Sequence, residues 1–244
     1  MSWNSKGIWH LPDLKAPGYT MRRYFLPLLF VFATTSHAAL STDDVLAQMD
    51  QSAAKFTGMS ADLTKVTFTK VINEKTTEVG SILLKKQGAR ELQVLIDFVK
   101  PDAKTVSFRG RKAEMYFPKL NTVQEYDLGK QRGLVDQFLL VGFGSTGKDL
   151  RANYAIKYMG DETISGQRAH KLELTPSSVQ IKEKLRNLEL WIADSGAHPV
   201  QQKFIQPSGD YYLFTYSGVK LNPELTDEAL RLKLPKGVKR ERVQ

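Results

Sequence analysis

The sequence predicts a mainly β protein with helices: one strongly curved antiparallel sheet, an unclosed β-barrel of about ten or eleven strands, covered on its concave face by helices. Three observations predict it. From residue 61 onward apolar and polar side chains alternate with a period of two. Turn-forming Gly, Asn, Asp, Ser and Pro residues interrupt the alternation at intervals of roughly 8 to 12 residues. Only two stretches carry convincing helical spacing, and no shift of composition marks a linker. A sheet of so many strands must curl or close.

The first helix opens at Ser41-Thr42-Asp43-Asp44, an N-cap followed by acids, and Val45, Leu46, Met49, Ala53 and Phe56 then recur on one face before Gly58. Strand patterns follow at residues 61–72, 78–86 and 91–99; in the third, Leu92, Val94, Ile96 and Phe98 share a face while Gln93 and Asp97 lie on the other. Further strands are predicted at 105–109, 112–118 and 122–127. Residues 131–141 form the second helix, short and unusually apolar, through Leu134, Val135, Phe138, Leu139 and Val141. Alternation resumes at 154–160, 167–175, 185–193, 199–205 and 211–217, and a last short strand is predicted at 230–234.

Residues 1–38 read as a leader. From Met21, Arg22 and Arg23 form a basic start, residues 24–33 an apolar run, and Ser36-His37-Ala38 a small-x-small cleavage signal. The run is roughly half the about 20 residues that a membrane-spanning helix needs, so a secretory signal peptide is expected at 21–38, cleaved near Ala38. The twenty residues before it lack periodicity and read as a miscalled start. The mature chain, 39–244, is then expected to be one exported, periplasmic domain. The full chain has 244 residues and a net charge of +9. Losing Lys6, Lys15, Arg22, Arg23 and Asp13 leaves about +6, a mild bias that suits anionic surfaces or simply solvated lysines.

Composition excludes several chemistries. With no cysteine there is no thiolate metal site, iron-sulfur cluster or thiol nucleophile. Of four histidines, His170 lies inside a strand and His198 in a turn before Pro199; neither has a partner at helical ligand spacing, so no metal or other cofactor is expected and both read as ordinary surface or edge residues. Residues 142–149 (Gly-Phe-Gly-Ser-Thr-Gly-Lys-Asp) satisfy two glycine-rich phosphate patterns, but they follow an apolar helix and precede a predicted strand, and Asp149 stands where a hydroxyl would bind magnesium. They read as a hinge. The basic run 107–112 reads as a solvated turn, and no nucleic-acid partner is expected. No G-x-S-x-G nucleophile elbow occurs, and the chain is expected not to be an enzyme.

The C-terminal third resembles the LolA-like family of outer-membrane lipoprotein-sorting proteins. The resemblance is carried by Leu188-Glu189-Leu190-Trp191-Ile192-Ala193, Pro199-Val200-Gln201-Gln202-Lys203-Phe204, Gly209-Asp210-Tyr211-Tyr212, Val219-Lys220-Leu221-Asn222-Pro223 and Leu232-Lys233-Leu234-Pro235-Lys236-Gly237-Val238. Met115-Tyr116-Phe117-Pro118 with residues 121–126 is similar to a hairpin of the same family. It implies an unclosed barrel with a helical lid, a periplasmic carrier of acylated lipoproteins or a related lipid, and as partners an inner-membrane transporter and an outer-membrane receptor, with the carrier a monomer. The apolar cavity is then expected to be lined by Phe68, Ile96, Phe98, Met115, Phe117, Trp191 and Phe214, under a lid carrying Leu134, Phe138 and Leu139. Two other readings stay open: a periplasmic lipid-sensing regulatory module of the same fold that binds a membrane partner, and an enzyme acting on envelope lipid.

Overall fold

The computed structural model describes residues 41–87, 91–129 and 141–243. Helix α1 (Thr42–Lys55) begins with a reciprocal cap: the Ser41 hydroxyl accepts from the Asp44 backbone N–H at 3.2 Å, and the Asp44 carboxylate accepts from the Ser41 N–H at 2.9 Å. Val45, Leu46, Met49 and Ala53 fall on one side and are all buried. The helix ends at Phe56, whose backbone turns extended and leads directly into the sheet.

Twelve strands follow: β1 (Gly58–Thr69), β2 (Glu74–Gln87), β3 (Glu91–Lys100), β4 (Lys104–Arg109), β5 (Lys112–Phe117), β6 (Thr122–Asp127), β7 (Tyr154–Ile164), β8 (Gln167–Pro176), β9 (Asn187–Ala193), β10 (Pro199–Ile205), β11 (Tyr211–Leu221) and β12 (Lys239–Val243). Two short helices, α2 (Gly147–Asn153) and α3 (Val179–Lys182), stand before β7 and after β8. The strands form one curved, unclosed sheet in the order β12-β6-β5-β4-β3-β2-β1-β11-β10-β9-β8-β7. β12 runs parallel to β6, with Lys239 opposite Thr122, and the other ten pairings are antiparallel. Two tight connections share one device. After β1 and after β5 a single 3-10 turn ends in an asparagine, Asn73 and Asn121, whose φ of 50° and 47° lies in the left-handed region that asparagine tolerates.

Only the end of the chain departs from the predicted strands. Residues 230–234 are turns and coil, and the last strand is β12 instead. Lys-Arg-Glu-Arg-Val has no alternation to betray a strand, because it is an edge whose charges deter further pairing. The leader 1–38 and the helix predicted at 131–141, with the lid residues Leu134, Phe138 and Leu139, lie outside the described residues, save Val141.

One face of the sheet, the inner face, carries the two largest core clusters. Val45, Leu46 and Met49 of α1 pack with Leu172, Leu174, Leu188, Leu190 and Ile192 of β8 and β9. Beyond them Leu63, Ile82, Leu84, Val94, Ile96 and Phe98 of β1 to β3 pack around Phe56, Phe143 and Tyr216. A small third cluster, Ala169, Trp191, Ala193 and Val200, sits on the outer face.

Candidate functional site

Where the two inner-face clusters meet, the side chains leave an apolar cavity of about 300 Å³. Alternation explains its floor. On β1 Leu63 points inward; opposite it on β11 lies Tyr216, followed at every second residue by Phe214 and Tyr212. β10 contributes Gln202, opposite Phe214, and Phe204, opposite Tyr212. Ile82 and Leu84 of β2 and Ile96 of β3 complete the floor. Phe143 and Leu185 close it from above, and Lys184 and Gln206 stand at the rim.

The inner end is held by a buried chain of hydrogen bonds. The Tyr216 hydroxyl donates to Gln202 Oε1 at 2.7 Å, and Gln202 Nε2 donates to the Val141 carbonyl. Gln202 is 3% exposed, so both halves of its amide need these partners. Burial pushes the Tyr216 hydroxyl above the ordinary tyrosine range, which keeps it a neutral donor. The turn so anchored carries Phe143, 2% exposed, with its ring edge-on to Tyr216 at 5.1 Å between centroids.

This turn corrects the reading of residues 142–149 as a hinge. Val141, Gly142 and Phe143 are buried. Gly142 and Gly144 have φ of 84° and 70°, and a Cβ on them would meet the Pro199 ring at 2.5 Å and the Phe56 ring at 2.7 Å. The glycines are there to press Phe143 into the sheet. The short helix α2 intervenes before the predicted strand, β7. The N-terminus of α2 is already occupied by carboxylates: Asp149 accepts from the Thr146 N–H at 3.2 Å, and Asp50 from the Gly147 N–H at 2.6 Å. A phosphate there would displace both.

Two polar clusters flank the cavity region. Lys65, the inward neighbour of Leu63, lies directly across from Glu78 on β2, and its ammonium is 2.8 Å from that carboxylate; Lys104 of β4 contacts the other oxygen. Burial pushes the Glu78 carboxyl up, but hydrogen bonds and charge from Lys104 and Lys65 outweigh it and hold it below its usual range. On the β7–β9 side His170 is fully buried rather than a surface residue. Its ring nitrogens lie 2.7 Å from Asp161 and 3.1 Å from Asp194. Burial raises the Asp161 carboxyl, and bonds from Tyr158, Arg168 and His170 overcome it and draw it well below the carboxylate range. His198 is half-buried, and that partial withdrawal from water lowers its affinity for a proton. Among the described residues no three His, Asp or Glu side chains converge as metal ligands, and no helix is long and apolar enough to cross a membrane.

Of the seven expected lining residues, Ile96 and Phe214 line the cavity. Phe98 shares their face but is core, 3% exposed, and lies beneath Lys65 and Lys104 at 5.9 and 5.1 Å from its ring centre. Met115 packs against the same cluster from β5, and Phe117, two residues on, shares its face without reaching the cavity lining. Phe68 and Trp191 are corrections. Phe68 is five residues from Leu63 and therefore on the outer face, stacked on Tyr211 at 4.9 Å. Trp191 alternates with Leu190 and Ile192 and also faces outward, where Nε1 donates to Glu162 at 2.7 Å and Lys171 covers the ring. Size is what singles both out in the sequence, and size does not report facing. The lining residues Leu63, Ile82 and Leu84, missed by that criterion, alternate visibly in their strands. Tyr212 and Tyr216 follow from Phe214 by the same rule. Phe143 has no periodic signal; a bulky residue between two glycines is the available hint.

No family model matches the chain, and no curated protein matches it in sequence. Solved structures do match. An uncharacterised conserved protein of Thermus thermophilus superposes with a TM-score of 0.52 at 14% identity, over 84% of this chain and 100% of that one. MucB matches at 0.48 and 11% identity over 78% of this chain; this chain spans 62% of MucB. A LolA superfamily protein of Nitrosomonas europaea matches at 0.38 and 14% identity, over 80% and 99% of the two chains. What is shared with the Thermus protein at this identity is the fold alone: a curved sheet that does not close.

Proposed function

We propose that the chain is a non-enzymatic periplasmic carrier that shelters an acyl chain of a lipoprotein, or of a related lipid, for transfer toward the outer membrane. The observation that carries this reading is the apolar cavity of about 300 Å³ between the two inner-face clusters. That volume falls at the small end of ligand pockets and holds on the order of ten methylenes. At about 0.8 kcal/mol each they contribute about 8 kcal/mol before association costs are subtracted. Such a ligand is retained in water yet released to a competing apolar site, with no bond made or broken. Among the described lining residues, the only side chains with polar groups are Lys184, Gln202, Gln206 and the two tyrosines. Gln202 and Tyr216 are committed to the buried chain, so among the described lining residues no acid, base and nucleophile converge, which supports the non-enzymatic reading. By the same reading the carrier acts as a monomer that meets an inner-membrane transporter and an outer-membrane receptor.

Native mass spectrometry of the protein purified from a bacterial envelope without detergent tests this. An adduct with the mass of a lipid or acylated lipoprotein, lost on incubation with acceptor vesicles, is the expected result. A bare mass that stays bare after incubation with acyl ligands overturns it. An adduct that is never surrendered, in a protein that instead forms a stable complex with a membrane regulator, moves the role from carrier to sensor.

A further inference from the structure

Lys65, Glu78 and Lys104 place two ammonium groups on one carboxylate, beside an otherwise apolar cavity. All three side chains are largely withdrawn from water, at 21%, 15% and 21% exposed. Lys65 is adjacent to the cavity in three ways: it follows Leu63 on the inward side of β1, it lies opposite Phe214, and its ammonium is 5.5 Å from the ring centre of Tyr212. Lys104 reaches the same carboxylate from β4 across the Phe98 ring. The other acid that feels Lys104 is Asp102, which is already held by Lys119. Among the described residues, counting Lys65, Lys104 and Lys119 against Glu78 and Asp102 leaves one positive charge in excess. At the rim Lys184 adds an exposed ammonium for which the described residues offer no ion pair.

Holding Glu78 in place would take one lysine. Two on a half-buried carboxylate keep ammonium donors in excess, since each –NH3+ has three N–H groups, and withdrawal from water strengthens whatever anion joins them. We infer that the ligand is a single-chain amphiphile with an anionic head, a carboxylate or a phosphate monoester: its chain fills the cavity and its head docks against Lys65 and Lys104, with Lys184 at the rim. The inference rests on the carrier reading and names the class of its ligand. The cavity volume agrees with one chain of about ten methylenes, and the unmatched charge supplies the preference for an anion. Cation–aromatic contacts of Lys65 with Tyr212 and Phe98 fix the ammonium where chain and head must meet.

Competition against a bound fluorescent fatty acid tests it, using the full chain and four twelve-carbon probes below their micelle concentrations: dodecanoate, dodecyl phosphate, 1-dodecanol and dodecyltrimethylammonium. At least one anion is expected to bind about tenfold tighter than the alcohol and the cation weakest, with the anion's advantage shrinking as salt is raised. The better of the two anions identifies the head as carboxylate or phosphate. Lys65→Met and Lys104→Met, each leaving Glu78 one lysine, are expected to reduce that advantage to about threefold while the alcohol binds as before. Lys184→Gln, on an exposed turn, gives a reading independent of folding and is expected to weaken the anions alone. Equal binding of all four probes overturns the head assignment and leaves the cavity standing. Failure of all four to bind overturns the cavity reading beneath it.

Discussion

Removing the hydroxyl that begins the buried chain Tyr216–Gln202–Val141 separates a hydrogen-bonded unit from ordinary packing. In Tyr216→Phe the ring still packs on Phe143, but Gln202 Oε1, in a side chain 3% exposed, loses its donor. A buried acceptor left without a partner costs about 1–3 kcal/mol. Gln202→Leu strips partners from both the Tyr216 hydroxyl and the Val141 carbonyl, so its cost is about 2–6 kcal/mol by the same reckoning. In the double variant the hydroxyl is gone as well, and only the Val141 carbonyl remains unpaired. The double variant is therefore expected to be less destabilised than the sum of the singles by at least about 2 kcal/mol, the cost of two unpaired groups. Urea unfolding of the four proteins, read as midpoints at constant slope, measures the cycle. Tyr212→Phe, on the same strand face but exposed, serves as the control and is expected to stay within about 0.5 kcal/mol of wild type. Additivity of the two singles within about 0.5 kcal/mol would refute the chain as the anchor of the Phe143 turn.

Gly80→Ala places a Cβ 2.0 Å from the Asp97 carbonyl of the neighbouring strand; it is expected to destabilise by about 1–3 kcal/mol, and an unchanged thermal midpoint would show that β2 and β3 separate there freely. Trp191→Phe is expected to leave acyl-probe affinity within about twofold while costing about 1 kcal/mol of stability through the lost bond to Glu162. Phe214→Ala, from the cavity lining, is expected to weaken the probe about tenfold; equal binding by the two variants would place the ligand elsewhere. Burial depresses the His198 pKa below 6.5 in the folded protein, so the unfolded chain binds the extra proton. Stability is then fully present above about pH 6.5 and declines as pH falls through that value, whereas the depressed carboxyls of Asp161 and Glu78 withdraw their stabilisation only below the ordinary carboxylate range near pH 4. Melting temperature against pH, compared with His198→Gln, checks the upper window: the variant is expected to flatten it.

The sheet was legible because one period of two, held across strand after strand, has no competing reading once turn residues bound each run. Leu92, Val94, Ile96 and Phe98 illustrate this: read as one face, they are one buried face. The helix at Ser41 was legible from its cap. Facing was harder. It depends on which neighbours a strand meets, and β1 meets β11, a partner more than a hundred residues away in the chain; nothing local in Phe68 or Trp191 reports that partner. A bulky aromatic also serves the outer face well when a charged residue can cover it, as Lys171 covers Trp191. The cavity's inner end escaped the sequence for a different reason. Phe143 is set by two left-handed glycines and a glutamine three strands of sequence away, a constraint of tertiary origin written in a motif that looks like a phosphate loop.

Among the described residues β7 and β12 are the end strands of the sheet, and this bears on what the cavity tolerates. In a closed barrel the girth is fixed by a ring of ladder bonds, and widening it means breaking them. Here the ring has a gap, and the sheet can change its bore by a small change of twist, with every strand pair intact. Such a wall is compliant in the way a clasp is compliant and a ring is not. Affinity along a homologous series of acyl ligands should accordingly climb by even increments per carbon and then level off gradually, without the abrupt cut-off that a rigid pocket imposes.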